Sequence, residues 1–305
     1  MHERRQIVAI VGETATGKTD VGEAVAEALG AEVVCADSRQ VFAELDVGTG
    51  KPDAPARRAR PHHLFDALHV GEPASAGWYL GAARATCAAV HARGKVPVLV
   101  GGSGLYLEAA REGIAAAPPS NPELRAALLA EAARGGAEPL HRRLTAADPE
   151  TAARLAPRDA QRIVRALEVL ESSGRPLSWW HRQPHAPPVA GEWRVFRIRC
   201  ATEVLRARIV SRAAWMFGAG LVEETRTLLA SPCAAALRAL RAIGYDEAAL
   251  LIEGRLVLAA AEARTALRTM QLAKRQRTWF RHRGNALDVD ADGAAAAILK
   301  AVRSS

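Results

Sequence analysis

Three short apolar runs punctuate the first third of the chain, and each ends in a polar or glycine-rich cluster. Ile7–Val11 runs into Gly12, Glu32–Ala36 into Asp37-Ser38-Arg39-Gln40, and Val96–Val100 into Gly101-Gly102-Ser103-Gly104. Such runs, bounded by turn residues, predict buried strands. Between the first two, Val21, Val25, Ala28 and Leu29 recur at helical spacing from Thr19 and stop at Gly30. A second helix is expected around Trp78–His91. Strands alternating with helices predict a parallel α/β sheet. Ligands of such sheets sit beyond the carboxyl ends of the strands, so the three clusters should converge on one site.

The texture changes at Ala117-Pro118-Pro119-Ser120-Asn121-Pro122. Asn121-Pro122 reads as a helix start, a capping side chain followed by proline at the first helical position. Helical patterns without a convincing strand follow, as far as the Pro/His-rich stretch Gln183–Val189. Trp193–Cys200 then alternates as a strand, and the chain reads as helical again to about Arg283. The expected organisation is an α/β core over residues 1–117 and 193–305, with C-terminal helices, interrupted by an all-helical insertion over 118–192.

The cluster after the first strand is the richest in chemistry. Gly12, Glu13, Thr14, Ala15, Thr16, Gly17, Lys18 and Thr19 fit the G-x-x-x-x-G-K-[ST] phosphate loop. The strand before it and the helix after it are the context that the motif requires. Backbone N–H groups form an anion cradle, Lys18 adds a point charge, and the Thr19 hydroxyl is the expected Mg²⁺ ligand. The core is therefore of the P-loop type. The cradle reads oligophosphate charge and is blind to what hangs from it. Glu13 is unexpected there, because a carboxylate beside a polyphosphate is repulsive unless it points outward or toward a cation.

The other two clusters are less specific singly. Asp37 at the end of the second strand fits a helix N-cap, a metal ligand, a substrate-hydroxyl anchor or a general base. Gly101–Gly104 offers open backbone and the Ser103 hydroxyl, placed for a diphosphate or its leaving oxygen. His62-His63-x-x-Asp66 follows Pro61 and does not put three ligands on one helical face, so it reads as loop and not as a metal site.

Composition adds direction. Nearly half of the 305 residues are apolar (49%), enough for a sizeable core, and the formal net charge is +8. No apolar run approaches a membrane span, and the N-terminal residues lead straight into a strand-like run, unlike a signal peptide. Cys35, Cys87, Cys200 and Cys233 lie far apart and read as small buried residues of a reducing compartment. A cytoplasmic enzyme, monomeric and without a membrane contact, is the expectation. Of 41 basic residues only five are lysine, namely Lys18, Lys51, Lys95, Lys274 and Lys300. In so arginine-rich a chain, a surviving lysine marks a candidate place for a compact ammonium.

The positive charge is patterned. Arg158, Arg162 and Arg165 are spaced i, i+4 and i+7 beside the apolar Ile163, Leu167 and Leu170, a stripe that reads equally as a solvated face or a phosphate-backbone contact. Lys274 to Arg283 mixes five Lys or Arg with Trp279 and Phe280, which reads either as a core plug with exposed cations or as a polynucleotide-binding ridge. Arg208 and Arg212, one turn apart, are natural diphosphate forks.

At this point the chain resembles the tRNA dimethylallyltransferases. The segments that carry the resemblance run in order along nearly the whole length: GETATGKT, DSRQVF, GTGKP, PHHLFD, GKVPVLVGGSGLY, DAQRIVRALEV with GRPLS, RIVSR with MFGAGLVEE, AIGYDEA and AKRQRTWFR. The resemblance implies transfer of a dimethylallyl group from dimethylallyl diphosphate to N6 of the adenosine 3′ of the anticodon, in tRNAs that read codons beginning with U. Diphosphate is released and Mg²⁺ assists. It implies Asp37 as the base that takes the N6 proton and Ser103 as a contact of the departing diphosphate. It assigns Gly12–Thr19, Arg208 and Arg212 to the diphosphate. To the tRNA anticodon stem-loop it assigns Asp37, Ser38, Arg39 and Gln40, then Gln161, Arg162, Ile163, Val164 and Arg165, and finally Lys274, Arg275, Gln276, Arg277, Thr278, Trp279, Phe280 and Arg281.

The chain departs from the family pattern at Glu13 (usually Pro), Phe42 (Tyr), Ser103 (Thr), Thr202 (Arg) and Asp246 (Arg). Glu13 and Asp246 both subtract positive charge near the substrates. The residues themselves also fit a P-loop nucleotide or nucleoside kinase, an isopentenyltransferase acting on free adenine nucleotide, or a non-catalytic RNA-binding protein. The first two leave the basic insertion and KRQRTWFR unused, and the last leaves Lys18-Thr19 without a task.

Overall fold

The computed structural model describes residues 5–283 and 285–304, so the charged stretch before Arg5 lies outside the described residues. The chain divides into two compact units, Met1–Glu112 with Pro188–Ser305, and Gly113–Pro187.

The larger unit is built on a six-stranded parallel sheet. Its strands are β1 (Gln6–Gly12), β2 (Glu32–Cys35), β3 (His62–His63), β4 (Pro97–Gly101), β7 (Glu192–Arg199) and β8 (Leu287–Asp290), in the order β3-β2-β4-β1-β7-β8. The apolar runs of β1, β2 and β4 are buried along their length, as strands covered by helices on both faces must be. The helix Lys18–Leu29 packs Val25 and Ala26 into one core, together with Ile298 and Val302 of the C-terminal helix Ala294–Arg303. The loops after β1, β2 and β4 leave the same edge of the sheet.

The four main strands match the apolar runs to within a residue. Two edge strands were not foreseen. In β8, Leu287 and Asp288 are both exposed, so no buried face writes an alternating pattern. β3 is only two residues long, and its histidines are ion-pairing groups. His62 Nε2 meets Glu23, and His63 Nε2 meets Glu32 at 2.6 Å. Among the described residues no cluster of His, Cys, Asp or Glu could hold a metal, and no helix is long and apolar enough to cross a membrane.

The smaller unit packs Leu128, Leu140, Leu144, Ile163, Val164 and Leu167 into its own core. Asn121 caps the helix Pro122–Gly135 by accepting from the Leu124 N–H at 3.1 Å. The unit is helical except for an antiparallel ladder of β5 (Ile114–Ala115) and β6 (His185–Ala186) that joins its two ends. The ladder is what sets the unit at 113–187, about five residues earlier at each end than the 118–192 read from composition.

Glu168, fully buried, ties the linker to this core. Its carboxylate accepts from the Ser120 hydroxyl at 2.6 Å, the Asn121 N–H at 2.8 Å and Arg165 at 2.9 Å. Burial alone pushes this carboxyl up, but the three hydrogen bonds outweigh it and hold the group below its ordinary value. Glu168→Ala removes the acceptor shared by Arg165, Ser120 and Asn121, and is expected to cost about 1–3 kcal/mol. Denaturant melts of this variant beside Leu128→Ala, a simple cavity in the same core, measure it.

Candidate active site

The phosphate loop leaves β1 at Gly12 and enters its helix at Gly17, whose φ of 88° lies in the left-handed region that favours glycine. Ala15 is held there as well, at φ 64°. The Lys18 ammonium donates to the Glu13 carbonyl at 2.6 Å, and the Thr16 hydroxyl donates to the same oxygen at 2.8 Å. Arg208 reaches the Thr16 carbonyl at 3.5 Å, and Arg212 the Thr49 carbonyl at 2.9 Å.

Asp37 is the acid among these cations. Its Oδ1 accepts from the Arg39 N–H at 2.9 Å, so the side chain caps a turn and not the helix start that remained possible from sequence. The second cluster is tied to the third, because the Ser38 N–H donates to Ser103 Oγ at 2.8 Å. Burial pulls Lys18 from its ordinary 10.5 down to about 8, against the opposing pull of Asp37. Arg39 and Arg212 are pushed down by burial too, again with Asp37 opposing. Three cations are thus desolvated around one carboxylate, an arrangement short of negative charge.

Two cavities meet at this point. One, of about 800 Å³, is lined by Thr14–Thr19, Lys51, Arg208, Arg212 and Trp215. The other, of about 790 Å³, carries Ser103, Tyr106, Ile209, Met216, Leu272 and Trp279 on its walls. Thr14, Asp37, Thr49, Arg212 and Gln276 line both. A chamber lined by the phosphate loop and a second of mixed lining, with aromatic and aliphatic side chains beside Arg39, Arg241, Arg268 and Arg275, therefore share a waist at Asp37. The apolar wall escaped the sequence reading, since Ile209, Ala213 and Met216 recur at the same helical spacing as any core stripe.

Lys51 shows why a lysine persists where arginine is the rule. Its ammonium, almost fully buried, donates to the Phe42 carbonyl at 2.5 Å and pairs with Asp66 at 2.5 Å and Asp46 at 3.0 Å. A planar fork could not point to all three.

Several residues assigned to RNA contact face inward. Ile163 and Val164 are fully buried in the smaller unit's core, and Phe280 is buried in the larger one. Their side chains are buried away from any nucleic acid, unlike the contacts that the resemblance implies. Arg165 binds Glu168 and, at 2.6 Å, the Pro118 carbonyl. Gln40 holds the carbonyls of Thr49 and Gly50, each at 3.1 Å. Arg39 reaches the Leu240 carbonyl at 3.2 Å. Gln161, Arg162, Lys274, Arg275, Thr278 and Arg281 stand exposed. The Asp246 departure is paired locally with Arg268 at 2.8 Å, a partner that Asp246 shares with Glu247 at 2.7 Å.

Residues 40–283 match the IPP transferase family model, and residues 5–59 match the isopentenyl transferase model. The chain belongs to the IPP transferase family. The tRNA dimethylallyltransferase of Syntrophobacter fumaroxidans is 42% identical over 90% of this chain and 80% of its own length. That of Salinispora arenicola is 42% identical over 98% of this chain and 87% of its own. The solved full-length tRNA isopentenylpyrophosphate transferase of Bacillus halodurans superposes on this transferase with a TM-score of 0.70, at 30% identity over 99% of this chain and 96% of that one. A eukaryotic dimethylallyltransferase acting on tRNA, 22% identical, shares the fold at a TM-score of 0.77.

Proposed function

We propose that this transferase moves a dimethylallyl group from dimethylallyl diphosphate to N6 of an adenosine in the anticodon loop of tRNA. The observation that carries this reading is the shared waist: a cationic chamber for a diphosphate opens at Asp37 onto a second chamber whose walls carry Tyr106 and Trp279, fit for a base, beside Arg241, Arg268 and Arg275, fit for its phosphates. In this reading the N6 amine attacks the first carbon of the allyl group while its bond to the diphosphate oxygen breaks. Asp37, whose Oδ2 is outside the turn bond, accepts the N6 proton. Negative charge grows on the departing diphosphate. Lys18, Arg212, Arg208 and the loop N–H groups answer that charge, and the Ser103 hydroxyl, whose oxygen already accepts from Ser38, has its own hydrogen to donate there.

Mg²⁺ suits the donors available, since the Thr19 hydroxyl and Asp37 carboxylate line the cationic chamber and are hard oxygen ligands. It would be held by Thr19 and by oxygens of the diphosphate itself, and its chemistry is to neutralise charge on the leaving group. The protein is read as a cytoplasmic monomer, with tRNA and dimethylallyl diphosphate as its partners.

Purified protein with Mg²⁺ and labelled dimethylallyl diphosphate, offered unmodified tRNA or AMP, tests this. Label is expected in the tRNA, at the adenosine following the anticodon. ATP hydrolysis or phosphate transfer without prenylation would overturn the reading, and label in AMP alone would move the enzyme to free nucleotides. For the RNA surface, Arg162→Ala is expected to weaken tRNA binding and lower the salt slope by about 1, as the loss of one phosphate contact does. An unchanged slope removes Arg162 from the interface.

A further inference from the structure

The segment Lys274–Arg281 mixes cations with polar and aromatic residues, and the helix Leu258–His282 turns two of its residues onto the phosphate loop. The Gln276 amide oxygen accepts from the Thr14 N–H at 2.8 Å, and its NH₂ donates to the Gly102 carbonyl at 3.0 Å. Next to it, Arg277 Nε pairs with the buried Glu13 carboxylate at 2.7 Å, and its Nη1 reaches the Thr202 hydroxyl at 3.1 Å. The close approach depends on glycine. A Cβ on Gly102 would lie 2.3 Å from the Gln276 Nε2, and one on Gly104 would lie 2.3 Å from Trp279.

The Thr14 N–H and the Glu13 carbonyl belong to one planar peptide unit and point in opposite directions. Gln276 holds the N–H end. Lys18 and Thr16 hold the carbonyl end. Rotation of that plane would break all three bonds at once, and would take away the acceptor on which the Lys18 ammonium rests. Glu13, anchored through Arg277, fixes the residue on the other side of the plane. The same Gln276 side chain grips Gly102, whose neighbour Ser103 lines the second chamber.

We infer that Gln276 is a positioning residue of the phosphate loop. It orients the Glu13–Thr14 peptide and through it Lys18, and it keeps the first and third clusters in register. This inference rests on the diphosphate reading of the loop, and it removes Gln276 from the RNA-contact surface. Arg277 supports the same peptide from its carboxylate side.

The test compares Gln276→Ala, Gln276→Glu and Arg275→Ala in two separate titrations. One uses inorganic diphosphate with Mg²⁺, and the other an unmodified tRNA anticodon stem-loop. Gln276→Ala is expected to lose roughly tenfold in diphosphate affinity, the fold-change of one or two hydrogen bonds, while stem-loop affinity stays within about twofold. Gln276→Glu can still accept from Thr14, but it can donate to Gly102 only while its carboxyl is protonated. It is expected to fall between wild type and Gln276→Ala at the lowest pH tested and to worsen as its carboxyl ionises beside the anion, a trend that a merely structural loss would not show. Arg275→Ala, an exposed neighbour, should do the reverse and weaken only the stem-loop. If both Gln276 variants bind diphosphate as wild type does, or lose stem-loop affinity instead, the inference fails. A wild-type protein that binds no diphosphate overturns the functional reading first, and this inference with it.

Discussion

Asp37→Ala is expected to lower turnover by about 10²–10⁴-fold, the usual contribution of a positioned general base, while tRNA affinity changes little. The geometry complicates this, because Asp37 has two tasks. Its Oδ1 closes a turn on the Arg39 N–H at 2.9 Å, and its charge lies among the half-buried Lys18, Arg39 and Arg212. Alanine removes both. Asp37→Asn separates them, since the amide oxygen still caps the turn but the side chain no longer takes a proton. The proposal is that Asn falls nearly as far as Ala in kcat and that both keep the stem-loop Kd within about threefold. An Asn variant with wild-type kcat would leave Asp37 as a turn residue only.

How much of this could be read in advance follows from where the signal lies. β1, β2, β4 and β7 were legible because strands buried on both faces or half-buried write themselves as apolar runs or alternation. The edge strands β3 and β8 were not, because exposed or ion-pairing positions carry no period. The ends of the smaller unit were missed because a two-residue ladder, Ile114–Ala115 with His185–Ala186, is set by pairing across distant chain and not by local composition.

The site divides in the same way. The cradle was legible because a loop that wraps an anion needs glycine, lysine and hydroxyl at fixed spacing. Its apolar wall was hidden among residues spaced like any helix core. The basic helix near the C-terminus carried the least decidable signal. Polar residues that face a polyanion and polar residues that grip a backbone look identical until the helix is oriented. Gln276 and Arg277 grip, and Lys274, Arg275 and Arg281 face outward. Glu13, inside the loop itself, argued against an anion site, and its ion pair with Arg277 answers the objection. The carboxylate is buried and ion-paired with Arg277, while Lys18 contacts the Glu13 carbonyl.

Lys18→Met is expected to cost about 10²–10³-fold in the efficiency of dimethylallyl diphosphate use, comparable with the loss of one donor aimed at developing negative charge. The same variant should not melt earlier than wild type. Burial holds Lys18 at about 8, so at neutral pH the folded protein carries a desolvated ammonium that methionine removes. The linkage has a definite sign. Between about 8 and 10.5 the unfolded lysine binds more proton than the folded one, so this group's penalty shrinks and stability rises with pH across that window. A bound diphosphate reverses the balance, because the anion favours the ammonium. Binding in that window must therefore draw a proton from solution. Calorimetric titration of inorganic diphosphate near pH 8.5, in two buffers of different ionisation enthalpy, should show wild type taking up roughly half a proton or more beyond what Lys18→Met takes up. Affinity should fall as pH climbs above about 8 in wild type and much less in the variant. Equal proton uptake by the two proteins would show that Lys18 is already charged in the free cradle. The lysine would then serve as a fixed cation, with no part of the pH dependence its own.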